Sequence, residues 1–247
     1  RPARFFWAFL GTAAMQKGPL WWAGLHRVHH RWSDTPRDLH SPLQRGFWYS
    51  HVGWIVSPDH DGTDASLIPD FAKYPELRFI DKYHWLPALV MAAACYLVDG
   101  WRGVVWGAGV STVFGWHGTF FINSLCHTVG RQPYSSKGTS RDSALMAFFT
   151  FGEGYHNFHH QFQWDYRNGI RWWQFDPTKW LIRVCAWVGL SRNLKRCSPE
   201  KIEQAILQQQ FRRSSQQISR LPDADSHLRR LQQEYDRLIE MVQAWGE

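Results

Sequence analysis

The pattern HxxHH occurs twice in this chain. HRVHH places His26, His29 and His30 together, and HNFHH does the same for His156, His159 and His160. Offsets of three and four residues share one face of an α-helix, where neighbouring Cβ atoms lie about 5–6 Å apart. Each segment is therefore expected to be a helix that presents three imidazoles side by side. Neutral imidazole is the commonest metal ligand, and an all-nitrogen set suits iron or zinc. Six of the 13 histidines fall in these two windows, which makes solvated histidine patches the weaker explanation. Two copies of one spacing imply that both halves of the chain converge on one metal centre.

Apolar length is the second constraint. Trp85 to Val98 is nearly all apolar, and Gly103 to Leu125 is a longer run of the same kind. At 1.5 Å per residue the longer run covers about 34 Å, enough for a hydrocarbon core of about 30 Å. The shorter covers about 21 Å and is expected to recruit Phe79, Ile80 and Tyr83 to cross. Asp99-Gly100-Trp101-Arg102 then makes a tight turn at one surface, giving a hairpin over about 79–125. Two helices of a soluble core are the alternative. The 16 Trp and 16 Phe favour the membrane, because tryptophan suits the headgroup level.

Charge orients the hairpin. Arg102 is the one basic residue in the connecting turn, so the positive-inside tendency puts both histidine clusters in the cytoplasm. The net charge of +7 favours anionic lipid headgroups or an acidic partner. No basic recognition motif or stacking platform for nucleic acid accompanies it. Cys95, Cys126, Cys185 and Cys197 form no CxxC pair and read as reduced, unpaired thiols.

Residues 5–25, interrupted by Gln16-Lys17-Gly18-Pro19, read as a buried or interfacial helix leading into the first cluster. Residues 34–75 read mostly as loop, and 170–190 as a helix along the membrane surface. From Ser198 onward the composition turns polar. Leu228, Leu231, Tyr235, Leu238, Val242 and Trp245 then give an amphipathic helix, which docks on the main body, on itself or on a partner. The expected class is all-α. It is an integral membrane helical bundle with a cytosolic histidine-rich di-metal cap over 1–197, plus a polar helical C-terminal extension over 198–247.

The longer apolar run ends FFINSLCH, which puts Asn123 and His127 four residues apart on one expected helix face. A polar pair in an apolar helix is costly and points to function, with hydrogen bonding between helices as the alternative. His117 falls on a different face and reads as structural.

With these residues together, the chain resembles the membrane-bound acyl-CoA and acyl-lipid fatty acid desaturases of the stearoyl-CoA desaturase type. The resemblance rests on GLHRVHHRWSDTPRDLHSP (24–42), GFWYSHVGW (46–54), NSLCH (123–127) and GEGYHNFHH (152–160). It runs from about residue 5 to about 190. It implies two iron ions held by His26, His29, His30, His127, His156, His159 and His160, with Asn123 holding a water beside them. Asp38, His40 and Glu153 are expected as outer partners that orient imidazole N–H groups. Phe120, about one turn before Asn123, is expected to form part of the wall of an acyl tunnel.

The activity implied is O2-dependent removal of two hydrogens from adjacent methylenes, giving a cis double bond, Δ9 being usual for this type. The metal cofactor supplies the oxidant and the protein positions the substrate. Two electrons would come from an external ferredoxin or cytochrome b5-type donor. The family's first histidine box, HxxxxH, has no counterpart before residue 26, and two transmembrane helices of the pattern are missing with it. The chain is thus expected to belong to a longer enzyme, and to be inactive and poor at holding iron alone. Alternatives are a membrane fatty acid hydroxylase, an alkane or sterol oxygenase, or a non-catalytic homologue acting as a membrane interaction protein.

Overall fold

Pro2, Pro19, Pro75, Pro177 and Pro199 each open a helix, at the position where a missing N–H costs nothing and the fixed φ is already helical. The computed structural model describes residues 1–60 and 62–245, whose regular elements are all helices, with isolated bridges but no strand among the described residues. The chain divides into two units, Arg1–Leu125 and Cys126–Glu247.

In the first unit, α1 (Pro2–Thr12) and α2 (Pro19–Trp32) replace the single helix expected over 5–25. The break lies where Met15 and Lys17 take positive φ, ahead of Gly18 and Pro19. α2 carries HRVHH and has no side-chain cap of its own. Asp81 of α3 (Pro75–Lys82) supplies one from outside, its Oδ1 accepting from Leu20 N at 2.9 Å and Trp21 N at 3.0 Å. A Cβ on Gly18 would run into Asp81, so this close approach needs glycine. Leu20, Ile68 and Leu77 form the core beside the contact.

Residues 34–60 and 62–75 hold more regular structure than expected, with short helical turns at Pro42–Arg45, Tyr49–Gly53, Trp54–Val56 and Pro69–Ala72. Their prolines and polar residues act as caps and helix starts, not as loop. Ser41 accepts from Leu43 N, while Trp54 and Ile68 are buried between the turns.

Beyond α3 come α4 (Trp85–Gly103), a π-helical stretch (Val104–Val110) and α5 (Ser111–Asn123). Asp99 and Gly100 leave helical geometry, Gly100 at φ 54°. The chain reverses there, for a Cβ on Gly103 would strike the Cys95 carbonyl. The turn is therefore where the sequence places it. By length and composition, Trp85–His127 is the one described helical stretch apolar enough to cross a membrane.

Two details of the hairpin differ from expectation. The shorter arm does not recruit Phe79 and Ile80, because α3 ends at Lys82 and Tyr83 leaves helical geometry. Ile80 is instead buried. The longer arm stops at Asn123, after which Leu125–His127 tightens to a 3₁₀ turn. Asn123 and His127 are therefore not four apart on one α-helix.

The second unit contains α6 (Ala144–Phe149), α7 (His156–Gln161), α8 (Pro177–Trp187), α9 (Pro199–Ile218) and α10 (Ala224–Ala244). The helix expected over 170–190 begins only at Pro177. Before it, Asp176 Oδ2 accepts from Asn168 N and Gly169 N, and Lys179 Nζ donates to the carbonyls of Gly169, Arg171 and Gln174. Those bonds hold 168–176 as a loop. The polar extension forms two helices whose Phe211 and Tyr235 rings lie 4.5 Å apart. Its anchor within the unit is α9, where Ile202 and Ala205, with Cys197, pack on Phe158 and Phe162. Within α10, Val242 is the buried member of the apolar stripe.

Candidate metal centre

In the first unit, α2 delivers the three histidines of HRVHH on one face. His26 Nε2 and His30 Nε2 lie 3.0 Å apart. His29 is 2 % exposed, and its Nδ1 lies 2.9 Å from Asp38 Oδ1. Asp38 also accepts from Asp34 N at 2.7 Å and His40 N at 3.2 Å. Burial pushes its carboxyl up to about 6 despite those bonds. Because Nδ1 of His29 is committed to Asp38, Nε2 is the ring atom that can bind a metal. The His40 ring lies against His29 at 4.2 Å and Trp54 at 4.6 Å between centroids.

In the second unit, α7 is a helix of six residues, too short to hold its own shape. Neighbouring side chains hold it instead. Asp142 Oδ1 accepts from Asn157 N at 2.7 Å and Phe158 N at 3.1 Å, capping the helix from a distant loop. Burial pushes the Asp142 carboxyl up to about 7. The Asn157 side chain accepts from Tyr134 N and Ser135 N, and donates to Ser135 O and Ser140 O. The loop it clamps carries Thr139, whose Oγ1 lies 2.8 Å from His127 Nδ1.

His127 Nε2 and His160 Nε2 each lie 3.1 Å from His156 Nε2, and one nitrogen from each ring lies within 4.8 Å of the others. Rings so placed can pair through N–H···N bonds, and with Nε2 deprotonated they turn their lone pairs toward one point, where a cation fits. Two imidazole nitrogens about 2.1 Å from a metal and at right angles about it stand about 3 Å apart, the separation seen in both units. Burial lowers the His159 imidazole to about 4, which keeps it in the neutral, metal-binding form.

Asn123 is 6 % exposed, and its Nδ2 is buried with no partner among the described residues. Its amide thus matches a donor reserved for something outside the polypeptide. Glu153 Oε1 accepts from Asn168 Nδ2 at 2.7 Å. Phe120 is buried and lines an apolar cavity of about 360 Å³ with Met15, Gln16, Ile55 and Trp116. His117 Nδ1 lies 3.2 Å from His51 Nε2. Asp142, Asn157 and Thr139 were not evident from the sequence, as each acts on a residue distant along the chain.

The fatty acid desaturase family model matches residues 1–194. The chain belongs to the fatty acid desaturase family. It is 39% identical over 228 residues to acyl-CoA desaturase 1 of Saccharomyces cerevisiae, covering 89% of this chain and 44% of that protein. It is 39% identical over 195 residues to icosanoyl-CoA 5-desaturase of Limnanthes douglasii, covering 77% and 54%. With sn-1 stearoyl-lipid 9-desaturase of Anabaena variabilis the identity is 36% over 193 residues, covering 77% and 70%. The chain thus spans about half the length of the first two relatives.

Proposed function

We propose that this chain works within an O2-dependent, membrane-bound acyl desaturase that places a cis double bond in a saturated fatty acyl chain. The observation that carries the proposal is the set of Nε2 atoms of His127, His156 and His160, spaced as ligands of a metal, in a member of the desaturase family. Their partners in the proposal are His26, His29, His30 and His159. Neither histidine set alone supplies enough nitrogen for two metals, which supports one shared di-iron centre. When bound, the irons would supply the oxidant that unactivated C–H bonds require.

The chain's own residues have distinct tasks in this reading. Asp38 fixes the tautomer of His29, Thr139 fixes that of His127, and His40 packs against the His29 ring. Such outer contacts set ligand orientation and basicity. Asn123 Nδ2 would donate to a water beside the metals. Glu153 holds Asn168 and steadies the loop that follows α7. Phe120 and its apolar neighbours exclude water from the methylenes. The reaction consumes one acyl CH2–CH2 unit, O2, two electrons and two protons, and yields CH=CH and two waters. The electrons come from a ferredoxin or cytochrome b5-type donor, whose acidic surface suits the basic chain.

The hairpin of α4 and α5 spans the bilayer in this proposal, with the histidines and C-terminus cytoplasmic. The named relatives include both acyl-CoA and lipid desaturases, and either carrier suits the reading. A Δ9 position draws its support from the stearoyl-lipid 9-desaturase, of which the chain spans 70%. The test is expression of the full-length gene in a desaturase-deficient host, with mass spectrometry of its fatty acids. New cis-9 monoenes are expected. Hydroxylated products, or an unchanged profile from a well-expressed protein, would overturn the reading.

A further inference from the structure

The segment Tyr49–Gly53 is a short π-helical turn that places two consecutive polar side chains against the end of α5. Ser50 Oγ donates to the Asn123 carbonyl at 2.7 Å, and His51 Nδ1 lies 2.9 Å from Ser124 Oγ. Ser50, His51, Asn123 and Ser124 are all buried. The last carbonyls of a helix lack partners within it, and a helix end in apolar surroundings must find them elsewhere.

One set of bond directions satisfies every one of these contacts. Ser124 Oγ donates its one hydrogen to Phe120 O at 2.9 Å, so it accepts from His51. Nδ1 of His51 therefore carries the proton, and Nε2 is the acceptor. His117 Nδ1, 3.2 Å away, donates to it. The chain His117 to His51 to Ser124 to Phe120 O has one consistent polarity. Burial lowers the His51 imidazole, so the neutral form that this polarity needs is the one favoured.

Ser50 thus pins the backbone of Asn123, and His51 pins the residue after it. Between the two pins stands the amide whose Nδ2 has no partner among the described residues. We infer that Ser50 and His51 are positioning residues, which hold the last turn of α5 so that the Asn123 amide faces the metals. This inference rests on the di-iron reading above.

The test uses the purified full-length protein and reads iron retained per chain after a fixed chelator challenge, alongside thermal melting in detergent. Ser50→Ala and His51→Gln should each weaken iron retention by about 10–100-fold, the usual cost of losing an outer contact to a metal ligand. Gln reaches toward the Nε2 position and abandons Ser124. His51→Asn keeps a donor at the Nδ1 position and should restore most of the iron. In an Asn123→Ala background, neither Ser50→Ala nor His51→Gln should weaken retention further, because the group they position is gone.

Additive losses in that background would overturn the inference, as would parental iron retention in both Ser50→Ala and His51→Gln. Should His51→Gln fail to fold, Ser50→Ala decides by the same criterion. Iron retained unchanged by Asn123→Ala overturns the inference while leaving the di-iron reading standing. A folded parent without iron overturns both.

Discussion

α2 and α7 set three histidines at one spacing, yet α2 runs for 14 residues and α7 for six. Their intervening residues differ accordingly. In HRVHH, Arg27 points outward to an exposed pair with Asp70. In HNFHH, Asn157 and Phe158 are both buried, one clamping a loop and the other in the core. A long helix supplies its own geometry and asks nothing structural of an exposed residue between its histidines such as Arg27. A two-turn helix borrows its geometry, and those same positions become structural. Both helices are nonetheless capped alike, by an aspartate from outside whose Oδ1 takes two N–H groups.

At the histidines the two helices should behave as equals, with the largest effect of all. His30→Ala and His156→Ala are each expected to abolish product in the full-length enzyme, while His227→Ala on α10 changes nothing. Fatty acid profiles of the three variants check this. Substantial product from either cluster variant would break the equivalence.

The residues between the histidines should separate the helices. Asn157→Leu strands two half-buried N–H donors and two carbonyls, at about 1–3 kcal/mol for each buried group left unsatisfied. A loss of at least about 3 kcal/mol is expected, whereas Arg27→Ala should stay near parental stability because exposed pairs contribute little. Detergent melting curves of the pair measure the difference, and equal losses would refute the distinction.

The caps come last in size. Asp142→Ala and Asp81→Ala should each cost about 0.5–2 kcal/mol, the short helix at the upper end. Asp142 should also add a pH dependence. Burial raises its carboxyl from the ordinary 3.8 to about 7, so the folded state binds the proton more tightly than the unfolded. Its contribution is full below about pH 4 and is lost as pH rises through about 7. Asp142→Asn keeps the acceptor and removes the titration, so its melting temperature should fall less over that range than the parent's. An identical slope in both proteins would remove Asp142 as the source.

What the sequence revealed was local. HxxHH fixes a helical face by spacing alone, and Asp99-Gly100 announces a reversal by residue type. What it concealed was distant in the chain. Asp81 caps a helix 60 residues away, and Ser50 and His51 reach partners 73 residues on. No periodicity records such pairings. The end of α5 was hidden for another reason. Apolar composition runs on through Leu125, while the α-helix closes one residue earlier, at Ser124, whose N–H and hydroxyl both donate to Phe120 O. Gly18 could be read as a helix interruption, but its need to admit Asp81 could not.

The central claim is that both clusters serve one di-iron centre, and iron stoichiometry of the full-length protein tests it most directly. Elemental analysis should find two irons per chain in the parent, and loss of both in His30→Ala and in His156→Ala. A variant that loses one cluster's histidine yet keeps a tightly held iron on the other would show two independent sites and contradict the account.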